Sequence, residues 1–379
     1  MGETEVQEVN MPKYASFAAA LLVAAFPVAW PVWAQSRDPL PVPDIPGYRT
    51  LKCDFHMHSV YSDGDVWPTL RVQEAWKDGL DAIAITDHDD YHPKKDDVSD
   101  NISRPYEIAR LMGRQLGTLV VPAVEITKGN LHCNALFVKD PNAFKGLELA
   151  AALGQARDQG AFVFWNHPGW RDPIAWFPPI AAAHADGLIQ GIELVNGRTF
   201  YEEAFPWIRE KNLAIIANSD VHRLISIDYG PRERPVTLVF AASASLEGIR
   251  EALDARRTAA WANGEIWGGE ALLRGLWEGA VTLESSALEF FPGIRQAGLQ
   301  FRNRSAIPFK LQMKSAPEWL RVRARDIPGE KTAGFFVNAD KEAPAGFHNV
   351  AIEFEVTNLH VEPDRNLVVT VPVTVAVAQ

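Results

Sequence analysis

Apolar residues fall into two textures along this chain. Between about residues 50 and 265, short dense apolar runs such as 162–166 and 189–195 alternate with stretches where apolar positions recur every three or four residues. The dense runs predict strands at 50–56, 82–86, 119–126, 132–138, 162–166, 189–195 and 214–217. The periodic stretches predict helices at 69–78, 104–116, 147–159, 201–210 and 246–263. Strands apolar on both faces, separated by amphipathic helices, indicate a mainly parallel sheet covered by helices. Seven such strands favour a closed, distorted β/α barrel over an open sheet, so the expected class is α/β. Beyond residue 280 the segments 281–290, 299–302, 309–313, 350–356 and 367–377 are short and β-rich, with turn-forming stretches at 325–331 and 342–346. That spacing predicts an all-β, Ig-like sandwich of about 100 residues. The expected domains are therefore 49–279 and 280–379.

The N-terminal region has a separate character. An apolar run from Phe17 to Trp33 follows Lys13 and ends in Val32-Trp33-Ala34, which reads as a signal peptide over 1–34 cut after Ala34. Pro39, Pro41, Pro43 and Pro46 suit an extended linker over 35–48. The expectation is a periplasmic or secreted protein with no stable membrane insertion once the signal is removed. A formal net charge of -11 without a basic run argues against a nucleic-acid surface and suits a cation site. Two cysteines, Cys53 and Cys133, exclude a disulfide framework and read as ordinary buried thiols.

The histidines change the picture. His56, His58, His88, His167 and His222 fall at or just beyond the C-terminal ends of predicted strands, and His132 opens the strand after Glu125. Asp63, Glu125 and Asp220 keep them company. In barrel and doubly wound folds the site lies at that rim, where loops converge on rigid strands. Period-2 alternation in His56-Met57-His58 sends both imidazoles to one side of a strand, and Asp220-Val221-His222 repeats the device. Mixed imidazole and carboxylate donors suit Zn, Mn or Fe. One tetrahedral ion needs about four groups, so nine candidates imply two or three divalent ions.

In order along the chain, His56-Met57-His58-Ser59, Ser62-Asp63-Gly64, Thr86-Asp87-His88-Asp89, Val124-Glu125-Ile126-Thr127, His132, Asn166-His167-Pro168-Gly169 and Asp220-Val221-His222 resemble the polymerase and histidinol phosphatase (PHP) family. The resemblance covers about residues 50–265 and leaves the β-rich tail outside. It implies a distorted seven-stranded barrel carrying a metal-dependent hydrolase over 49–279. It also implies a first ion held by His56, His58, Glu125 and Asp220. Glu125 would bridge to a second ion on His132 and His167, and a third would sit on Asp63, His88 and His222, with Asp63 standing where some members use histidine. Asp87 would act from behind the ligands. Glu125, Asp220 and His222 are the expected catalytic residues among them.

Two neighbouring cations acidify a bridging water and neutralise phosphoryl oxygens, so no Ser or Cys nucleophile is required. The expected activity is hydrolysis of small organic phosphate esters, diesters ahead of monoesters. The alternatives are a histidinol-phosphatase-type monoesterase, a metal-dependent amidase or other C–N hydrolase, and, last, a non-catalytic binding protein. Arg198 and Arg223 are the candidate phosphate ligands, with Arg171 and Lys128 behind them. Trp170, Trp176 and Phe177 form a candidate apolar wall, with Trp170 the expected substrate contact. His92, His184, His348 and His360 have no matched partner and read as surface or locally bonded.

Overall fold

A computed structural model describes residues 1–2, 36–171 and 173–378. The signal-peptide segment 1–34 lies outside the described residues apart from its first two. Among the described residues no helix is long and apolar enough to cross a membrane.

The body from Arg37 onward begins with strands β1 (Arg49–Asp54), β2 (Ala82–Ala84), β3 (Leu119–Val121), β4 (Ala123–Lys128), β5 (Leu131–Leu136) and β6 (Phe162–Trp165). It continues with β7 (Gly191–Asn196), β8 (Thr199–Phe200), β9 (Ala214–Asn218), β10 (Val236–Ala241), β11 (Thr258–Ala262) and β12 (Glu265–Gly268). The helices are α1 (Pro68–Lys77), α2 (Arg104–Leu116), α3 (Leu149–Asp158), α4 (Pro178–Ala185), α5 (Ala204–Glu210), α6 (Ile225–Asp228), α7 (Leu246–Asp254) and α8 (Glu270–Ala280).

Strands β1, β2 and β3 pair in parallel, as do β6, β7 and β9. Between these sets β4, β5 and β6 are antiparallel neighbours, because β4 turns straight into β5 at Gly129 with no crossover helix. The expected strand at 119–126 is broken by Pro122, which cannot donate to a ladder, so β3 belongs to one sheet and β4 to the next. The two sheets touch through the bridge His88↔Glu125 on one margin and Met57↔Val221 on the other. Both bridges are formed by residues in or beside the ligand motifs. Dense apolar strands are explained by burial on both faces: Phe162 and Phe164 enter one core with Phe55 and Ile216, while Val163 and Trp165 pack outward with residues of α3, α4 and α5.

The expected helix at 246–263 is a correction. Helix α7 stops at Asp254, Arg256 takes a left-handed φ of 59°, and residues 258–262 form β11, paired to β10 and β12. The β11–β12 turn uses Asn263 and Gly264 at φ 53° and 79°, a hairpin dipeptide.

The tail contains β13 (Val281–Ser285), β14 (Ala287–Phe290), β15 (Gln296–Asn303), β16 (Leu311–Ser315), β17 (Leu320–Arg323), β18 (Thr332–Ala339), β19 (Gly346–Glu362) and β20 (Arg365–Val377). One tail sheet orders β13-β15-β18-β17; the other strands continue the first sheet through a parallel β12–β19 pairing. Helix α8 lies between the two parts, and Leu273, Leu276 and Trp277 share one core with Leu238, Phe301 and Phe354. The stretch expected as an extended linker lies as a strap on this helix. Leu40 and Ile45 are buried, and Cβ atoms on Gly275 and Gly279 would meet Ile45 and Pro43 at about 3 Å, so only glycine lets the strap lie so close.

Candidate metal centre

The nine residues expected as ligands converge. Past β1 the chain keeps its extended alternation: Phe55 and Met57 enter the core while His56 and His58 face the opposite side, all four buried. The register is fixed by Asp220 N–H donating to His56 O (2.8 Å) and His58 N–H to Val221 O (3.0 Å). Glu125 and His132 stand on adjacent strands, with His132 Nδ1 at 3.0 Å from Glu125 Oε1. His167 and Asp220 have φ of 28° and 50°, uncommon for residues other than glycine and costing roughly 1–3 kcal/mol each. Each is held there from behind, His167 by its N–H to Glu193 Oε2 (2.8 Å) and Asp220 by the bond to His56.

Distances test whether ions fit. Donor atoms each about 2.0–2.1 Å from one tetrahedral ion lie roughly 3.4 Å apart. His56 Nε2 and His58 Nε2 are 3.2 Å apart, Asp220 Oδ1 lies 3.2 and 3.0 Å from them, and Glu125 oxygens lie 3.4 and 3.5 Å away. Around Glu125 Oε1 stand His132 Nδ1 and, at 3.5 Å, His167 Nε2. The third group is His58, Asp63, His88 and His222, with Asp63 oxygens 3.4 Å from His88 Nε2 and 3.3 Å from His222 Nε2. His88 also leans on Glu125 Oε2 at 2.8 Å and thus joins a group with Glu125 and His132. Glu125 Oε2, Asp220 Oδ1 and His167 Nδ1 are buried yet make no hydrogen bond. Buried polar atoms without partners are costly, and ligation by a cation answers the two carboxylate oxygens. The donor set fits divalent metals.

Burial, together with the neighbouring His222 and His88, pushes His58 down to about 4. Burial would also lower His56, His88, His167 and His222, but the carboxylates beside them outweigh it and push all four up, so a binding cation would displace protons from these imidazoles. Burial would raise Glu125 and Asp220, but the surrounding imidazoles outweigh it and hold both carboxyls well below their usual range. His222, with 38% of its side chain exposed, and Asp63, with 28%, mark the open side.

Apart from Asp87, the layer behind the clustered side chains was not legible in the sequence. Glu193, wholly buried on β7, takes two donors on each oxygen: His56 Nδ1 and Asn218 Nδ2 on Oε1, both 2.9 Å, and His167 N and Asn196 Nδ2 on Oε2, at 2.8 and 2.9 Å. Its one signal was a carboxylate inside an otherwise apolar strand. Asn166 donates to Glu125 Oε1 (2.8 Å), and Thr127 Oγ1 lies 2.6 Å from His88 Nδ1. Asp87 accepts from Ser59 N–H and from the hydroxyls of Ser59 and Ser62, so it shapes the loop bearing Asp63 and touches no imidazole. Buried Arg71 ties His58 O to Val221 O and Arg223 O, joining the two sheets at the Met57–Val221 margin.

The expected substrate contacts separate. Trp170 stands against the rings of His132 and His167, at 5.2 and 5.3 Å between centroids. Arg198 donates to Asp228 O (2.7 Å), and Arg223 pairs with the Asp228 carboxylate, so both guanidinium groups are drawn to α6. Trp176 and Phe177 turn inward onto Trp165 instead of lining the mouth. His184, His348 and His360 bond to Lys211 O, Pro344 O and Glu265 respectively, and His92 Nδ1 to Tyr61 O.

No family model matches the chain. A stretch of 67 residues is 37% identical to an error-prone DNA polymerase from Nocardia farcinica, taking in 16% of this chain and 6% of the polymerase's own length. A crystal structure of a two-domain protein from Bacteroides vulgatus, described as containing a predicted PHP-like metal-dependent phosphoesterase, is 40% identical with a TM-score of 0.82, covering 90% of this chain and 100% of that one. A putative metal-dependent phosphoesterase from Bifidobacterium adolescentis matches at 17% identity and a TM-score of 0.40, over 54% of this chain and 96% of that one. With 40% identity to the Bacteroides vulgatus protein over 90% of this chain, and with the His, Asp and Glu cluster present, the chain belongs to the family of PHP-like metal-dependent phosphoesterases.

Proposed function

We propose that this protein is a metal-dependent phosphodiesterase acting on small organic phosphate esters, working outside the cytoplasm, with two or three divalent ions held by His56, His58, Asp63, His88, Glu125, His132, His167, Asp220 and His222. The observation that carries the reading is the convergence of these nine side chains, with Glu125 shared between neighbouring groups. Bound divalent ions would supply an acidified water and neutralise phosphoryl charge. The chain's own residues hold this arrangement: Glu193 orients His56, Asn166 orients Glu125, and Asp87 shapes the loop that presents Asp63. The pairing of the two sheets at both margins supports reading the ring as the distorted seven-stranded barrel, and the two packed tail sheets support an Ig-like sandwich.

The diester preference rests on the rim cations. Arg198, Arg223 and Lys128 are already engaged by Asp228 or Asp89, leaving little free positive charge for a monoester dianion. A monoesterase is the second reading, favoured by the ligand charges: three carboxylates among nine ligands leave two or three divalent ions with net positive charge. Assaying the metal-loaded enzyme on 4-nitrophenyl mono-, di- and triesters and a 4-nitroanilide, with Mn, Zn and Fe, separates these. Diester turnover at least about tenfold above the others supports the proposal. Anilide turnover without ester turnover refutes it.

A further inference from the structure

One cation at the mouth differs from the rest. Lys94 is bound to Gly64 O and Asp65, Lys128 to Asp89, Arg198 to Asp228 O and Glu233, and Arg223 to Asp228. Arg171 forms no ion pair among the described residues. Its guanidinium carbon lies 3.9 Å from the centroid of the Trp170 ring, and that ring packs against His132 and His167. The turn that carries the pair is built tightly: Trp170 N–H donates to His167 O (3.0 Å), and a Cβ on Gly169 would stand 3.3 Å from the Tyr201 ring. Trp170 is 48% exposed, so the stack stands beside His132 and His167 and reaches solvent there.

Stacking occupies the face of a guanidinium and leaves its edge, where the N–H donors lie, free for a planar or tetrahedral anion. The apolar wall expected from the sequence is reduced to Trp170, since Trp176 and Phe177 are turned inward. What remains next to the ligands is therefore a pre-oriented positive charge.

We propose that the Trp170–Arg171 pair is a subsite for a second, remote anionic group on the phosphate ester, a carboxylate or a further phosphate a few atoms from the scissile phosphorus. The proposal rests on the phosphoesterase reading of the cluster. It names the substrate class as small esters with two separated anionic groups.

The test uses the metal-loaded enzyme and three diesters of 4-nitrophenol whose second alcohol is methyl, carboxyethyl or phosphoethyl. The wild type prefers one or both anionic diesters over the methyl diester, and the arm that is preferred identifies the anion. In R171Q the ratio of kcat/KM for the preferred anionic diester over the methyl diester falls about three- to tenfold, the range of an oriented but solvent-facing ion pair. W170A, which removes the support of the guanidinium, lowers it similarly, while R198Q moves it by less than about twofold, its guanidinium being held by Asp228 and Glu233. Elemental analysis and thermal melting of each variant establish that the cluster and fold persist. No preference in the wild type, or an unchanged ratio in R171Q, overturns the subsite while leaving the phosphoesterase reading standing. Failure of the wild type to hydrolyse any of the three overturns the subsite and the diesterase reading, and failure on 4-nitrophenyl phosphate as well overturns the phosphoesterase reading with them.

Discussion

Replacing Glu193 with glutamine is a nearly isosteric change whose effect follows from counting donors. The carboxylate receives two hydrogen bonds on each oxygen, from His56 Nδ1, Asn218 Nδ2, His167 N and Asn196 Nδ2, all between 2.8 and 2.9 Å. An amide has one oxygen and one NH₂. Whichever way it is turned, two of these donors meet a donor, in a site with no solvent access. A buried unsatisfied donor costs about 1–3 kcal/mol, so relaxation of His56 or of the strained His167 turn is the expected response. Losing a partner behind a ligand typically weakens metal binding about 10–100-fold. E193Q should therefore lose metal to a competing chelator at a concentration about 10–100-fold lower than the wild type does, with turnover recovering in excess metal. Chelator titration followed by elemental analysis reads this directly. Wild-type metal affinity in E193Q would refute the claim that Glu193 positions His56 and His167.

Other consequences follow from the same geometry. A Cβ at Gly64 would stand 2.6 Å from His58 C and 2.7 Å from His58 O, so Gly64→Ala should displace the Asp63 loop, cost about 1–3 kcal/mol of stability and lower the metal stoichiometry by the ion on Asp63, His88 and His222; thermal melting and elemental analysis check both. Buried Arg234 pairs with buried Asp54 at 2.9 Å, and Arg234→Met leaves that carboxylate uncompensated, a loss of about 3–5 kcal/mol readable by urea denaturation. Three carboxylates packed among the ligands make the metal-free protein the less stable form. Mn²⁺ at about a hundred times its dissociation constant should raise the melting temperature on the order of 5–10 °C, and an unmoved melt would contradict the site.

What the sequence disclosed tracks where chemistry shows through residue type. His and Asp at strand ends are conspicuous because apolar packing does not call for them, and with the lone carboxylate of Glu125 inside an apolar strand they made all nine clustered side chains visible. His132 required a tight return after Glu125, and the β4–β5 hairpin supplies it. Glu193 was hidden because a single carboxylate in an apolar run looks like a strand edge, and Arg71 and Arg234 because a charge on an amphipathic helix or in a charged turn looks solvated, until their partners across the fold are known. Residues 258–262 were misread as helix because alanine favours helix locally, whereas pairing to β10 and β12 decided the outcome; Asn263-Gly264 was the overlooked turn signal. From the sequence Arg198 and Arg223 stand ahead of Arg171, because their pairing with Glu233 and Asp228 is visible only in three dimensions.

An anomalous-difference map from a crystal grown with manganese bears most directly on the central claim. Peaks should appear between His56, His58, Glu125 and Asp220, and between Glu125, His132 and His167, with Glu125 touching both and a third peak by Asp63, His88 and His222. A map with no peak among these side chains, at a manganese concentration that supports turnover, would contradict the account.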